Sequence, residues 1–446
     1  MSLIIKRRTL LASVGLLSSL GVAACSPGSL GTSSTTSPGG SGSAAATTLS
    51  LLVDNSEQTT VTAKAIADAF NASQSDVVVK VETRPQGADG DNIVKTRLAT
   101  DEMTDLFQYN SGSLMAALDP TKNMVPLTGE PFMDAVQESF QTAVTSGKEV
   151  FGVPFGQAMA GGILYNKKVY SDLGLEIPKT WADFMAINAK IKAAGIDPVI
   201  QTYADTWTSQ LFVLADFHNV MAVQPDWAEK YTANRAKYVD EPAIKGFQRL
   251  QEVHDASYEN KDFASAQMSQ GLQALVDGKG AHYPMLTFAI TAYLNLAADA
   301  AQNIGFFAQP GDDASKYGLT VWTPAGMYIP STTTGAKLEA AKKFFAFVAT
   351  PEACDAQSKA MTPTGPYMIK GSTLPDGLPA AVNDLQKFFD DGNITPALEF
   401  LSPVKGPNLE KITVEVGSGI TSAPDGAKRY DEDVKKQAQQ LGLEGW

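Results

Sequence analysis

The chain is 446 residues long and 44% hydrophobic, with 35 Lys and Arg against 48 Asp and Glu and a formal net charge of −13. The only charged residues before Cys25 are Lys6, Arg7 and Arg8, so the remainder carries the other 32 bases against all 48 acids. No basic patch stands out, which argues against a nucleic-acid partner, because phosphate binding without such a patch lacks its main source of affinity.

Behind Lys6-Arg7-Arg8, an apolar run from Leu10 to Leu20 leads into Val22-Ala23-Ala24-Cys25. A basic start, an apolar middle and small residues at the exit are the layout of a secretory signal. With cysteine at the cleavage point, residues 1–24 read as a lipoprotein signal peptide and Cys25 as the lipidated residue. The run is too short to span a bilayer. The expected location is therefore the extracytoplasmic face of the cell membrane, with attachment through lipid only. Residues 25–48 are built from Ser, Gly, Thr, Ala and Pro with Leu30 as the one large apolar side chain. They read as a flexible tether spanning about 25 Å, from the coil relation of roughly 5–6 Å × √n. An acylated Cys25 leaves Cys354 without a disulfide partner, as a small core residue on a helix.

The body from Leu49 to Trp446 is long enough for two domains of ordinary size. It opens with a strand at Leu49–Asp54, a helix over Thr59–Asn71 that places Ile66 and Phe70 on one face, and a strand at Val77–Val81. A further strand at Asp105–Tyr109 continues this β-α-β pattern, which predicts a parallel or mixed sheet covered by helices. Ligands bind such sheets beyond the carboxyl ends of strands. That rule draws attention to Asn55, Ser56 and Glu57, and to Tyr109, Asn110 and Ser111. Glycines at 152, 156, 161 and 162 would let an extended segment bend between lobes. Thr180 with Asp183 predicts a capped helix start at Trp181. Residues 337–349 pattern as a helix burying Ala340, Ala341, Phe344, Phe345 and Val348, stopped by Thr350-Pro351-Glu352.

Catalytic signatures are missing. The three histidines, His218, His254 and His282, are widely separated, and no His-Glu-x-x-His, Cys-x-x-Cys, Gly-x-Ser-x-Gly, phosphate loop or dinucleotide fingerprint occurs. No metal and no cofactor is expected. The acid pairs Asp312-Asp313 and Asp390-Asp391 lie in polar contexts and read as solvated surface before they read as a glycosidase pair. Aromatic residues say more. Tyr203, Trp207, Tyr283 and Trp322 stand among small and polar neighbours, and a flat ring beside hydrogen-bonding groups suits the alternating CH and OH faces of a sugar.

Several segments in order resemble the extracellular solute-binding proteins (family 1) of ABC sugar importers. They are Gly147-Lys148-Glu149-Val150-Phe151-Gly152-Val153-Pro154, Leu164-Tyr165-Asn166-Lys167-Lys168, Gly174-Leu175 to Trp181, Gly278-Lys279-Gly280, Ile304-Gly305-Phe306-Phe307, and Ala341-Lys342-Lys343-Phe344-Phe345 before Thr350-Pro351-Glu352. The resemblance implies an α/β, two-lobed periplasmic-binding-protein fold, type II-like, each lobe a mixed sheet flanked by helices. The first lobe would take 49–155 and 310–349 and the second 160–305 and 350–446. Hinge crossings would fall near Phe155–Gly161, Gln309–Thr320 and Ala349–Pro351.

It also implies a monomeric, non-catalytic receptor that captures a mono- to oligosaccharide by lobe closure and delivers it to a membrane permease. Another solute (a polyol, glycerol phosphate or peptide) or a secreted glycoside-acting enzyme remain alternatives. The expected stacking platforms are Tyr109, Trp207 and Tyr283, with Trp322 as a further candidate that hinge packing would also explain. The expected hydroxyl partners are Glu57, Asn110, Asp205 and His282, with Asn55 and Tyr203 as further ligand-binding positions in the same loops. His282-Tyr283 stands where the family often has a tryptophan, and Thr362–Tyr367 occupies the place of a late loop that often touches ligand.

Overall fold

The structure, a computed structural model, describes residues 46–297 and 299–446; the expected signal segment, Cys25 and nearly all of the tether lie outside them. In chain order the strands of the two large sheets are β1 (Thr47–Asp54), β2 (Val77–Arg84), β3 (Leu106–Tyr109), β4 (Gly152–Phe155), β5 (Met159–Asn166), β6 (Asp197–Val199), β7 (Gly280–Leu286), β8 (Ile304–Ala308), β9 (Leu319–Trp322), β10 (Ala325–Tyr328) and β11 (Ile394–Pro396).

The first sheet has the order β2-β1-β3-β10-β4. β1 and β2 run parallel in register from Thr47 opposite Val77 to Asp54 opposite Arg84. Thr47 and Thr48, expected at the end of the tether, thus belong to the sheet, where β-branched side chains are at home. The helix Glu57–Ser73 joins these strands and buries Ala63, Ile66, Ala67 and Phe70. Ser56 caps it by accepting from Thr59 N at 3.2 Å. The Asp54 carboxylate accepts from Ser56 N and the Thr59 hydroxyl, so the loop after β1 is fixed by its own polar residues. The helix Gly335–Val348 buries the five residues that its periodicity picks out.

The second sheet runs β11-β9-β5-β7-β6, with β8 pairing the far half of β5. It is apolar on both faces. Ile163 and Tyr165 of β5 and Phe307 of β8 enter one core, while Ala160, Leu164 and Phe306 enter the other. This is the alternation that a sheet sandwiched between helix layers requires. The helix Trp181–Ala193 in the first of these layers starts where expected, with the Thr180 hydroxyl accepting from Asp183 N at 3.1 Å.

Three crossings join the lobes, and two fall elsewhere than the resemblance implied. Residues 156–158 carry the chain from β4 to β5, and Gly156 adopts φ +85° there. Gly161 and Gly162 lie inside β5 and supply close packing instead of a bend. The second crossing is Thr323-Pro324, not 309–320. β9 hydrogen-bonds antiparallel to β5, Thr320 opposite Gly161, which puts residues 319–322 in the second lobe. The third lies beyond Ile369, not at 349–351. The helix Pro351–Ala360 packs on Glu57–Ser73, and Cys354, Tyr367, Met368 and Ile369 complete the first core, so residues 351–369 belong to the first lobe. Burial pushes the Cys354 thiol up to about 12, leaving it a small apolar filler. No described helix is long and apolar enough to cross a membrane.

Candidate functional site

A cavity of about 640 Å³ opens between the lobes beside the second crossing. The first lobe contributes Asn110 and Ser111, in the loop after β3, and Ala325 at the start of β10. The second contributes Gln210, Glu399, Phe400, Lys405 and Glu410, with Met159 and Trp322 between. Strand ends of one lobe thus face loops of the other, where such sheets place their ligands.

Each wall is held by specific contacts. The Ser111 hydroxyl donates to Pro324 O at 2.8 Å and lies 3.1 Å from the Thr323 hydroxyl, which ties the first-lobe loop to the crossing. Trp322 is 6% exposed. Its ring lies against Gly161, where a Cβ would come within 2.6 Å of the indole, so only glycine lets the ring settle there. Its Nε1 donates to Glu399 Oε1 at 3.1 Å, and Glu399 Oε2 accepts from Lys405 Nζ at 2.8 Å. Both carboxylate oxygens are therefore engaged by side chains of the wall.

Gln210 ends the 3₁₀ turn Thr206–Gln210, and residues three apart in such a turn share a side, which puts half-buried Trp207 on the Gln210 side. Trp207 packs on Phe288 with ring centroids 5.7 Å apart. Within the turn, the buried Ser209 hydroxyl lies 3.0 Å from Glu410 O and 2.7 Å from the Thr413 hydroxyl. That contact locks the turn to the helix Leu409–Gly417, so Gln210 and Glu410 are presented as one unit. The lobes touch at Gly112, which takes φ +68° and where a Cβ would lie 2.7 Å from both Glu399 O and the Phe400 ring.

Of the ten residues singled out in the sequence as contacts, Asn110 and Trp322 line this cavity. Asn55 and Glu57 are exposed just past β1, which runs parallel beside β3, so Asn55 and Asn110 leave the sheet at the same edge. Five residues serve the framework instead. Tyr109 is fully buried with the Arg84 Cζ 5.7 Å from its ring, and burial first, then the nearby Asp91 charge, pushes its phenol up to about 12. Tyr203 is buried edge-on to Phe263, and the Asp205 carboxylate accepts from Met268 N at 2.6 Å to start the helix Met268–Val276.

His282 and Tyr283 lie side by side in β7, an interior strand, and therefore point into opposite cores. His282 Nε2 lies 2.7 Å from the Tyr170 hydroxyl and Nδ1 2.9 Å from Asn188 Oδ1. The Tyr283 hydroxyl lies 2.6 Å from that of Thr202. Burial drives the His282 pKa down to about 3. Neither reaches the cavity, because their polar groups are satisfied within the protein.

Glu399, Lys405 and Glu410 were not singled out. The available signal was the Pro/Gly-rich run Pro403-Val404-Lys405-Gly406-Pro407 with charges at and beside it, a loop signature of the kind that carries binding residues. Among the described residues no group of three or more His, Cys, Asp and Glu is placed to hold a metal ion. Asp312 pairs with Arg249 at 3.0 Å, and Asp313 accepts from Ser315 in its own turn.

Residues 55–353 match the family described as bacterial extracellular solute-binding protein. A multiple sugar-binding protein of Streptococcus mutans serotype c is 25% identical over 302 residues, which cover 66% of this chain and 69% of that protein. Among solved structures, RafE in complex with raffinose is similar with a TM-score of 0.68 at 20% identity, over 87% of this chain and 99% of that one. A family 1 extracellular solute-binding protein of Bifidobacterium longum subsp. infantis is similar with a TM-score of 0.72 at 18% identity, over 88% and 99%. The structural likenesses establish the two-lobed fold. With the family matched across most of the body and a cleft between its lobes, the chain belongs to the bacterial extracellular solute-binding proteins.

Proposed function

We propose that the protein captures a carbohydrate, a mono- to oligosaccharide, in the cleft between its lobes and delivers it to the membrane permease of an ABC importer. One observation carries the reading: an interlobe cavity combines the Trp322 ring with hydrogen-bonding groups from both lobes, Asn110 and Ser111 on one side and Gln210 and Glu410 on the other. A ring covers the CH face of a sugar, and polar groups replace water at its hydroxyls. Trp322 and Trp207 serve as platforms, and Asn55 and Glu57 join from the β1 edge as the lobes close. Contacts from both lobes favour the closed state, since only differential affinity shifts such an equilibrium. No bond is made or broken. The protein acts as a monomer, held outside the cytoplasm through a lipid on Cys25.

A thermal-shift screen of the mature protein against a sugar panel tests this. A sugar at about 100 times its dissociation constant adds roughly 2.7 kcal/mol of stability. Trp322→Ala is expected to abolish the shift while leaving a cooperative unfolding transition. Sugar hydrolysis seen by chromatography of the incubated panel would refute the non-catalytic reading, and no shift with any sugar would refute carbohydrate capture.

A further inference from the structure

The charged groups of the cleft do not cancel. Three charged side chains line it, Glu399, Lys405 and Glu410. Lys405 and Glu399 neutralise each other at 2.8 Å, and no arginine lines the wall. The Glu410 carboxylate is the remainder. It is half-buried and has no ion-pair or side-chain hydrogen-bond partner among the described residues. Its backbone carbonyl lies 3.0 Å from the buried Ser209 hydroxyl, which fixes the start of its helix against the turn that carries Gln210. It lies in the first turn of Leu409–Gly417, where a carboxylate also complements the helix dipole. That role concerns stability and makes no distinction between ligands. Beyond the cleft, the formal charge of −13 repels anions from the whole molecule.

We infer that Glu410 makes the cleft selective for neutral and amine-bearing saccharides over acidic ones. This selectivity presupposes carbohydrate capture in the cleft. A ligand carboxylate within several ångströms of a half-buried Glu410 meets a like charge poorly screened by solvent, and an ammonium gains by the same interaction. The expected discrimination is about tenfold in affinity between a neutral sugar and its uronate, or about 1.4 kcal/mol.

The test uses matched sets of glucose, glucosamine and glucuronate and of galactose, galactosamine and galacturonate, each as monomer and trimer. Titration calorimetry compares the wild-type protein with Glu410→Gln and Glu410→Lys at low and high salt. Uronates should bind about tenfold more weakly than their neutral partners. The gap should shrink severalfold in Glu410→Gln and by less at high salt, because salt screens a half-buried charge only in part, and Glu410→Lys should favour the uronate. Thermal midpoints without sugar check that the variants fold. Uronates binding as well as neutral sugars would overturn the inference and leave carbohydrate capture standing. A gap unchanged in Glu410→Gln would remove Glu410 as its cause. Failure of every sugar in these sets and of the broader panel would instead overturn carbohydrate capture, and the selectivity with it.

Discussion

Two regions of the second lobe mix aromatic and polar side chains in similar proportion, yet they differ in kind. Around β7, His282 and Tyr283 are fully buried and each polar atom meets a partner: Asn188, Tyr170 or Thr202. Around the crossing, Trp322, Gln210 and Glu410 face a cavity, and the Glu410 carboxylate has no partner among the described residues. Composition cannot separate the two. What separates them is position along a strand: mid-strand polar groups must be satisfied internally, whereas groups at strand ends and in loops are free to satisfy something else.

Tyr283 is the residue of the β7 region whose loss should cost most. Truncating it to Ala empties a packed core and removes one of the two hydroxyl partners of Thr202, leaving Thr208, so denaturant unfolding should register a loss of about 3–5 kcal/mol, most of it from the emptied core. Sugar affinity of the remaining folded protein should be unchanged; a selective loss of affinity would return Tyr283 to the site.

Acid supplies a smaller effect on the same region. Folded His282 binds a proton only near pH 3, whereas an unfolded histidine does so near 6.5. Between those values unfolding takes up a proton, so its contribution is intact above pH 6.5 and declines as pH falls, by about 1.4 kcal/mol per unit. Unfolding curves at pH 6.5 and 4.5 should differ by up to about 2.7 kcal/mol from this group, and His282→Gln should flatten that slope. An unchanged slope would mean that His282 is not held neutral.

Ser209→Ala gives the smallest effect and sharpens the contrast from the cleft side. Losing the hydroxyl that joins the 3₁₀ turn to Leu409–Gly417 should cost about 1 kcal/mol of stability. It should also weaken sugar binding severalfold, since Gln210 and Glu410 lose their common anchor; calorimetry reads the second effect and denaturant titration the first.

Local elements were legible in the sequence. Thr180 as a cap, the stripe Ala340 to Val348 and the β-α-β opening each depend on neighbours a few residues away. Loop position after a strand was enough to reach Asn110. What could not be read was non-local. His282 and Tyr283 look like ligand residues until Asn188 and Thr202, 94 and 81 residues earlier, are seen to satisfy them. Residues 319–322 and 351–369 changed lobes for the same reason. Periodicity tells which face of an element is buried but not which sheet or helix covers it. The Glu399–Glu410 wall carried only a loop signature, and its chemistry depends on a partner lobe assembled from earlier sequence.

The first core draws on residues as late as Ile369. A nascent chain that ends before β10 lacks that strand and the helices Gly335–Val348 and Pro351–Ala360 that pack on the early sheet and its first helix, so part of the apolar surface of the first lobe stays uncovered until most of the polypeptide has been made. Final compaction of that lobe therefore waits for the last third of synthesis.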